Sequence, residues 1–272
     1  MDVTMEHSRS YAEDGVVCLR NLFDEEWLDL IGRSIDRGRR NPSPNYLDYS
    51  KDTVPGSYCT DMWIWRENPE MKKFIFDSPA AQTAGRLMGV ESVVLLTDNW
   101  LVREAGAVNR APWHHDHPYF DASGPWCVLW MGLEPVGPGE GVVFLKGSHK
   151  WDRHFMPLSF TGSGAKAELE APYEPTPDFD VSSDAYDVLE FSLNPGDCIV
   201  FDSKTVHGAP NPVPPNHSVR RLTMRFAHGD SIFDKRGSWT DDQSDYMVKQ
   251  GHVIGERLAG PLLPILWSVI DA

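Results

Sequence analysis

The sequence predicts a mainly β core, an antiparallel sandwich or barrel, with helices from the N-terminal third packed on it. Three observations lead there. Helical periodicity is confined to about the first 90 residues. From residue 92 the texture changes to short runs of β-branched and aromatic residues separated by turn sequences such as "GPGEG" and "NPGD", the pattern of an antiparallel sandwich or barrel. No internal repeat, linker or composition break interrupts the 272 residues, so a single domain over 1–272 is expected, with an N-terminal helical part at about 1–90 and a β-core at about 91–230. At 41% hydrophobic and 24% charged residues the chain has enough apolar material for a sizeable core.

The elements follow in order. "SYAEDGVVCLRNLF" reads as a short helix stopped by Gly15, then a strand from Val16 to about Phe23. Asp24 caps the next helix, which has acids in its first turn, arginines in its last, and Trp27, Ile31 and Ile35 on one face. The tract 41–66 is rich in Pro, Tyr, Ser and Asp and shows no clean period. A helical region from Pro69 to Met88 ends at Gly89. The strands expected after that are "VVLLTDNWLVRE", "CVLWMGLEPV", "GVVFLKG", "YDVLEFSL", "CIVFDS" and "RRLTMRFAH". Between Trp151 and Ala185 lies a long stretch rich in Pro, Gly and acids, and loops beyond about 15 residues in compact domains are usually functional or disordered. A lid loop is expected at 151–184.

The formal charge of −15 argues against nucleic acid or an anionic membrane as partner, because both demand basic patches. Ten tryptophans fit a β core filled with large rings, or a ring-lined pocket. Cys18, Cys59, Cys127 and Cys198 lie far apart with no CxxC pair, as expected of reduced thiols. The N-terminus shows no secretory signal. The apolar C-terminal "LAGPLLPILWSVI" contains two prolines and falls short of the ~20 residues of a membrane span, so it is expected to dock on the fold. A cytoplasmic location is expected.

The densest chemistry is "PWHHDHPYF", residues 112–120. In a strand, side chains at i and i+2 share a face, so His114 and Asp116 point one way and His115 and His117 the other. Either His-x-Asp or His-x-His can face a metal. "FDSKTVHGAPNP" offers a third ligand, His207, just after an apolar strand. Two histidines and one carboxylate on one face of a metal leave open positions, the facial triad of non-haem Fe(II) oxygenases. In "VRRLTMRFAHGD", Leu222, Met224 and Phe226 alternate with Arg221, Thr223 and Arg225. If the apolar set packs outward on helices, Arg221 faces inward, where a guanidinium can grip a carboxylate.

These pieces, with "YAEDGVVCLRNLFDEE", "WLVREAG", "VLWMGLEPVGPGEGVVFLKGSHK" and "NPGDCIVFDSKTVHGAPN", run in one order along about residues 10–230. In that order they resemble the phytanoyl-CoA dioxygenase superfamily of Fe(II)- and 2-oxoglutarate-dependent oxygenases. The resemblance implies a double-stranded β-helix, a cupin-like jelly roll. It implies His114, Asp116 and His207 as iron ligands, Arg220 or Arg221 on the C5 carboxylate of 2-oxoglutarate, with strand parity favouring Arg221, and Trp130 at the border of the co-substrate pocket. His115 stands where many relatives have Gln. Halogenating relatives lack the carboxylate, so Asp116 implies hydroxylation or another oxidation. The cofactors implied are Fe(II), 2-oxoglutarate and O2, with ascorbate as activator in vitro.

Around the site, Arg103 and Asn99 either reach the co-substrate or pair with acids, and Tyr119, Phe120 and Trp126 line a substrate pocket or fill core. Gly147, Ser148 and His149 read as a structural turn. The expected partner is a small molecule. The acidic loop residues Asp178, Asp180, Asp184 and Asp187, with Trp100, Trp113, Trp126 and Trp130, favour a small polar or amine-bearing metabolite, and the few basic residues beyond Arg103 and Arg110 disfavour an acyl-CoA. The alternatives are a non-catalytic metal-dependent metabolite-binding protein, a zinc cupin using His115 and His117, and an oxygenase of larger natural products. The sequence sets no oligomeric state.

Overall fold

A computed structural model describes residues 2–49, 58–107, 111–159, 165–169, 171–209 and 216–270. Helix α1 (Met5–Asp14) begins at a capping box between Thr4 and His7 and ends where Gly15 takes φ of 80°, a left-handed conformation that glycine adopts without cost. Strand β1 (Val16–Leu19) is shorter than expected. Asp197 ends it by accepting hydrogen bonds from Arg20 Nη1 (2.7 Å) and the Asn21 amide (2.9 Å), which turns the chain toward the next helix. In α2 (Glu25–Arg40) the Asp24 carboxylate accepts from the Glu26 and Trp27 amides at 3.1 and 3.2 Å.

The tract read as aperiodic contains two strands, β2 (Leu47–Asp48) and β3 (Tyr58–Met62). Strand β3 buries polar side chains, which hides its alternation. Thr60 donates to the Trp100 carbonyl (2.7 Å), and Asp61 accepts from the Ser43 amide and hydroxyl. The helical region expected at 69–88 is two helices, α3 (Pro69–Asp77) and α4 (Ala80–Met88). Pro79 separates them, because it pushes Ser78 out of the helical region (φ −79°, ψ 163°).

The β-core then follows: β4 (Ser92–Arg103), β5 (Trp126–Gly132), β6 (Val143–Leu145), β7 (Val188–Glu190), β8 (Cys198–Asp202), β9 (His207–Gly208) and β10 (Val219–His228). A short helix not foreseen in the sequence, α5 (Asp241–Lys249), and strand β11 (Ile265–Ser268) complete the chain. The larger sheet runs β1-β8-β5-β10-β4-β3-β2, with β11 also on β4, and the smaller is β7-β6-β9. All strand pairings are antiparallel. This is the jelly-roll architecture expected, with the two sheets not closed into a barrel.

Strand alternation sorts side chains into two cores. On the outer face of the large sheet, Leu129, Met131, Leu222, Met224 and Phe226 pack with Ile31 and Ile35 of α2 and Phe74 of α3. On the inner face, Val128, Trp130, Ile199 and Phe201 meet Phe144 of the small sheet. Because the apolar set of β10 points to the helices, Arg221, Thr223 and Arg225 project between the sheets. The C-terminal apolar segment docks as expected: Leu258, Leu262 and Leu263 are fully buried and β11 pairs with the first residues of β4. In the 151–184 stretch, 160–164 and 170 lie outside the described residues. Phe155 and Phe179 from that stretch are buried in a third cluster with Trp113 and Leu145. No helix among the described residues is long and apolar enough to cross a membrane.

Candidate active site

His114 and His207 are placed by a two-way backbone bridge, each amide donating to the other's carbonyl at 2.9 and 2.8 Å. The bridge sets the imidazoles side by side, with ring centroids 4.2 Å apart. The chain does not continue as the strand that the parity reading assumed. Asp116 takes helical angles (φ −72°, ψ −23°) and opens a 3-10 turn over His117–Tyr119. The turn still returns the carboxylate to the His114 side, 3.4 Å from His114 Nε2 and 3.7 Å from His207 Nε2 through Oδ1. One ligand atom from each of the three residues lies within 4.8 Å of the others, and all three residues are buried.

The chemistry of this set suits a divalent metal. His114 Nδ1 sits 2.7 Å from the Pro112 carbonyl and His207 Nδ1 2.9 Å from that of Thr205. Each contact assigns the proton to Nδ1 and leaves the Nε2 lone pair aimed at the shared space, an arrangement common in metal-binding histidines. Burial, reinforced by neighbouring His114, pushes His207 down to about 3, so its imidazole is neutral. Burial alone would raise the Asp116 carboxyl. The adjacent Arg225 guanidinium, the largest opposing influence, outweighs it and holds the group far below the usual carboxylate range.

His115 and His117 face elsewhere. His115 Nε2 accepts the Phe155 amide at 3.0 Å, and burial holds the ring neutral, its pKa lowered to about 3. His117 stacks on Trp126 with Nε2 3.4 Å from Arg236, and burial, with Arg236 next, lowers it to about 2. Their rings are 6.4 Å apart, and neither lines the cavity that holds His114, Asp116 and His207.

That cavity measures about 270 Å³. Arg221 enters it from β10, only 5% exposed, with its guanidinium 5.6 Å from the Trp130 ring centre. Burial lowers its pKa to about 10 against the pull of Glu134, so it remains charged. Arg220, the neighbouring candidate, lies outside the cavity and is engaged by Glu134 through its side chain (2.8 Å) and its amide (2.6 Å). Trp130 lines the cavity. Of the other tryptophans singled out, Trp100, Trp113 and Trp126 are buried in the three apolar clusters away from it. The four loop aspartates do not line it either, and Arg110 lies outside the described residues.

Asn99 borders the cavity while its amide ties β4 to β3, donating to Thr60 Oγ1 and the Asp61 carbonyl. Arg103 also lines it. Its Nη2 donates to the Ala107 carbonyl (2.8 Å), and its buried Nε meets no acceptor among the described residues. Tyr119 and Phe120 are cavity walls, whereas Trp126 is core. Lys166 and Arg225 are among the cavity residues that were not singled out as site residues from the sequence. Lys166 reaches the rim from the 151–184 stretch, its Nζ 5.1 Å from the Tyr119 ring centre. Arg225 ion-pairs with Asp116 at 2.7 Å. Its inward parity beside Arg221 was the signal available in the sequence.

A jelly roll with a buried two-histidine, one-carboxylate set and an inward arginine defines the class of mononuclear, iron- and 2-oxoglutarate-dependent oxygenases. The chain belongs to the phytanoyl-CoA dioxygenase (PhyH) family, whose model matches residues 11–219. No curated protein matches the sequence. Among solved structures it is similar to the non-heme alpha-ketoglutarate-dependent carbocyclase SnoK from nogalamycin biosynthesis (16% identity, 98% of this chain and 97% of that one, TM-score 0.74). It is also similar to the epimerase SnoN in complex with Fe3+, alpha ketoglutarate and nogalamycin RO (17%, 96% and 98%, TM-score 0.74). EctD from S. alaskensis is a third (15%, 87% and 81%, TM-score 0.62). At these identities the likeness is one of fold.

Proposed function

We propose that this chain is a non-haem Fe(II)- and 2-oxoglutarate-dependent dioxygenase that hydroxylates a small polar metabolite and releases succinate and CO2. One observation carries the reading: three metal-ligand atoms within 4.8 Å of one another share a cavity with the buried cation of Arg221. His114 and His207 would bind iron through Nε2 and Asp116 through Oδ1. Bound there, iron with 2-oxoglutarate and O2 supplies the oxidant for a C–H bond.

The protein's own residues do the rest. Arg221 offers paired N–H donors to the distal carboxylate of the co-substrate. The Trp130 ring, over which that guanidinium lies, helps to orient it, and Leu101, Phe120 and Val142 keep water from the reacting atoms. The same arrangement favours chemistry over passive binding, because three protein ligands lining the cavity would leave a metal held by them with coordination positions for co-substrate and O2.

Size and charge bear on the substrate. Ligand pockets usually span ~300–1,000 Å³, so a cavity of about 270 Å³ that also receives 2-oxoglutarate favours a small metabolite over a bulky natural product. Of the tryptophans and aspartates on which the amine-bearing option rested, Trp130 alone reaches the cavity, and it lies beside the Arg221 guanidinium. Once Arg221 is given to the co-substrate and Arg225 to Asp116, the charged walls left among the described residues are Arg103 and Lys166 against Glu140. That excess of cation favours a substrate bearing an acidic or acceptor-rich group. Oxygen uptake with matched small acids, amines and neutral compounds tests this: acids are expected to stimulate it, and stimulation confined to amines would refute it.

A further inference from the structure

Strand β10 carries two inward arginines four residues apart, a separation of roughly 13 Å along an extended chain, and the two meet different partners. Arg221 lies beside Trp130 and Glu134. Arg225 lies against Asp116, its Nη2 2.7 Å and its Nε 2.9 Å from the same oxygen, Oδ2. The other oxygen, Oδ1, is the one that faces the two histidine Nε2 atoms, at 3.4 and 3.7 Å. The carboxylate is therefore divided: one oxygen is committed to a guanidinium and one is turned toward the histidines.

The arginine is itself held in place. Its guanidinium lies over the Phe120 ring at 4.4 Å, and Nη1 approaches Thr97 Oγ1 at 3.4 Å. Thr97 is the residue paired with Arg225 across β4, and the register between β10 and β4 shifts immediately afterwards, between Arg225 and Phe226. Such a bulge re-aims side chains near sites. The 3-10 turn that follows gives the Asp116 side chain no capping hydrogen bond, so the turn itself does not orient the carboxylate.

We propose that Arg225 is the positioning residue of the metal centre, occupying Asp116 Oδ2 so that the carboxylate binds metal through Oδ1 alone and three coordination positions stay open. The proposal rests on the Fe(II)/2-oxoglutarate reading. It makes Arg225 a metal-site residue rather than a second co-substrate clamp, a role its place in the cavity wall would also permit.

The test is Co(II) binding to the full-length protein by calorimetry, without 2-oxoglutarate, together with the visible d–d bands of bound Co(II), which report coordination number and symmetry. Outer partners of metal ligands typically contribute 10–100-fold in affinity. Arg225→Gln should therefore weaken Co(II) by about that factor and change the bands, and Arg225→Lys should restore part of both. Arg220→Ala, which alters an arginine outside the cavity, should match wild type. If Arg225→Gln binds Co(II) within twofold of wild type with unchanged bands, the proposal is overturned, and a loss of 2-oxoglutarate affinity alone would make Arg225 a co-substrate residue. Should the Gln variant fail to fold, the Lys variant decides by the same two readouts. Failure of the underlying function looks different: wild type and His114→Ala would then bind Co(II) equally.

Discussion

Replacing Arg221 by Ala should cost the protein its hold on 2-oxoglutarate while leaving the fold largely intact. The guanidinium is 5% exposed, and Glu134 is its nearest acid at 3.5 Å, too long for a good hydrogen bond. It stands ready for an incoming carboxylate. Truncating one partner of a buried, hydrogen-bonded charge pair costs roughly 2–5 kcal/mol. Taking about 2–3 kcal/mol, because Glu134 and solvent partly compensate, and ~1.4 kcal/mol per tenfold, the expected loss is ~30- to ~150-fold in affinity. Arg220 differs in kind: its side chain is 34% exposed and already paired with Glu134. Such pairs are worth roughly 0–1 kcal/mol, so Arg220→Ala should alter thermal stability slightly and 2-oxoglutarate affinity less than about threefold. The assay is calorimetric titration of 2-oxoglutarate into the Co(II)-loaded protein, repeated as apparent KM. If Arg220→Ala weakens binding more than Arg221→Ala, the inward assignment of β10 is wrong.

Other expectations follow from the same geometry. His115→Ala should retain Co(II) binding, whereas His114→Ala should lose it; the cost of His115→Ala appears as stability, roughly 1–3 kcal/mol from the stranded Phe155 amide, read as a lower Tm. Lys166→Glu should raise the KM of the acidic substrate and leave that of 2-oxoglutarate within about twofold, since roughly one surface-type charge contact is reversed; equal effects on both would move Lys166 to the co-substrate end. Limited proteolysis of the apo protein should cut first within 151–184, and iron, 2-oxoglutarate and substrate together should protect it, because the Phe155 amide and the Leu158 backbone are hydrogen-bonded to His115 and Tyr119 of the metal motif. Identical cleavage in both states would make the segment a passive insertion. Leu263→Ala should cost about 2–5 kcal/mol by opening a fully buried site in the docked C-terminal segment, and an unchanged Tm would show that this segment is dispensable.

Much of this was readable from the sequence because it depended on alternation and local capping. Leu222, Met224 and Phe226 set the outer face of β10, which sent Arg221 and Arg225 inward. Asp24 and Gly15 fixed helix limits through their own backbone and side-chain preferences. What was hidden depended on partners far along the chain. Strand β3 buries Thr60 and Asp61, polar residues made tolerable by partners that include the Trp100 carbonyl, Asn99 and Ser43, so no apolar period marks it. The two histidines and Asp116 came to one side as the spacing suggested, yet by a bridge and a 3-10 turn rather than a strand. Parity brought Arg225 indoors without naming Asp116 as its partner, because only the folded strands bring them together. Lys166 sits in a segment with no period at all, and its place on the rim follows from a backbone bond to Pro157.

Succinate formed from 2-oxoglutarate by the purified protein, with Fe(II) and ascorbate added or withheld, tests the central claim most directly. The account predicts metal-dependent succinate even without substrate, increased by a small acidic substrate and abolished in His114→Ala, Asp116→Ala and His207→Ala. Succinate that does not depend on added Fe(II), or that survives loss of His207, would contradict it.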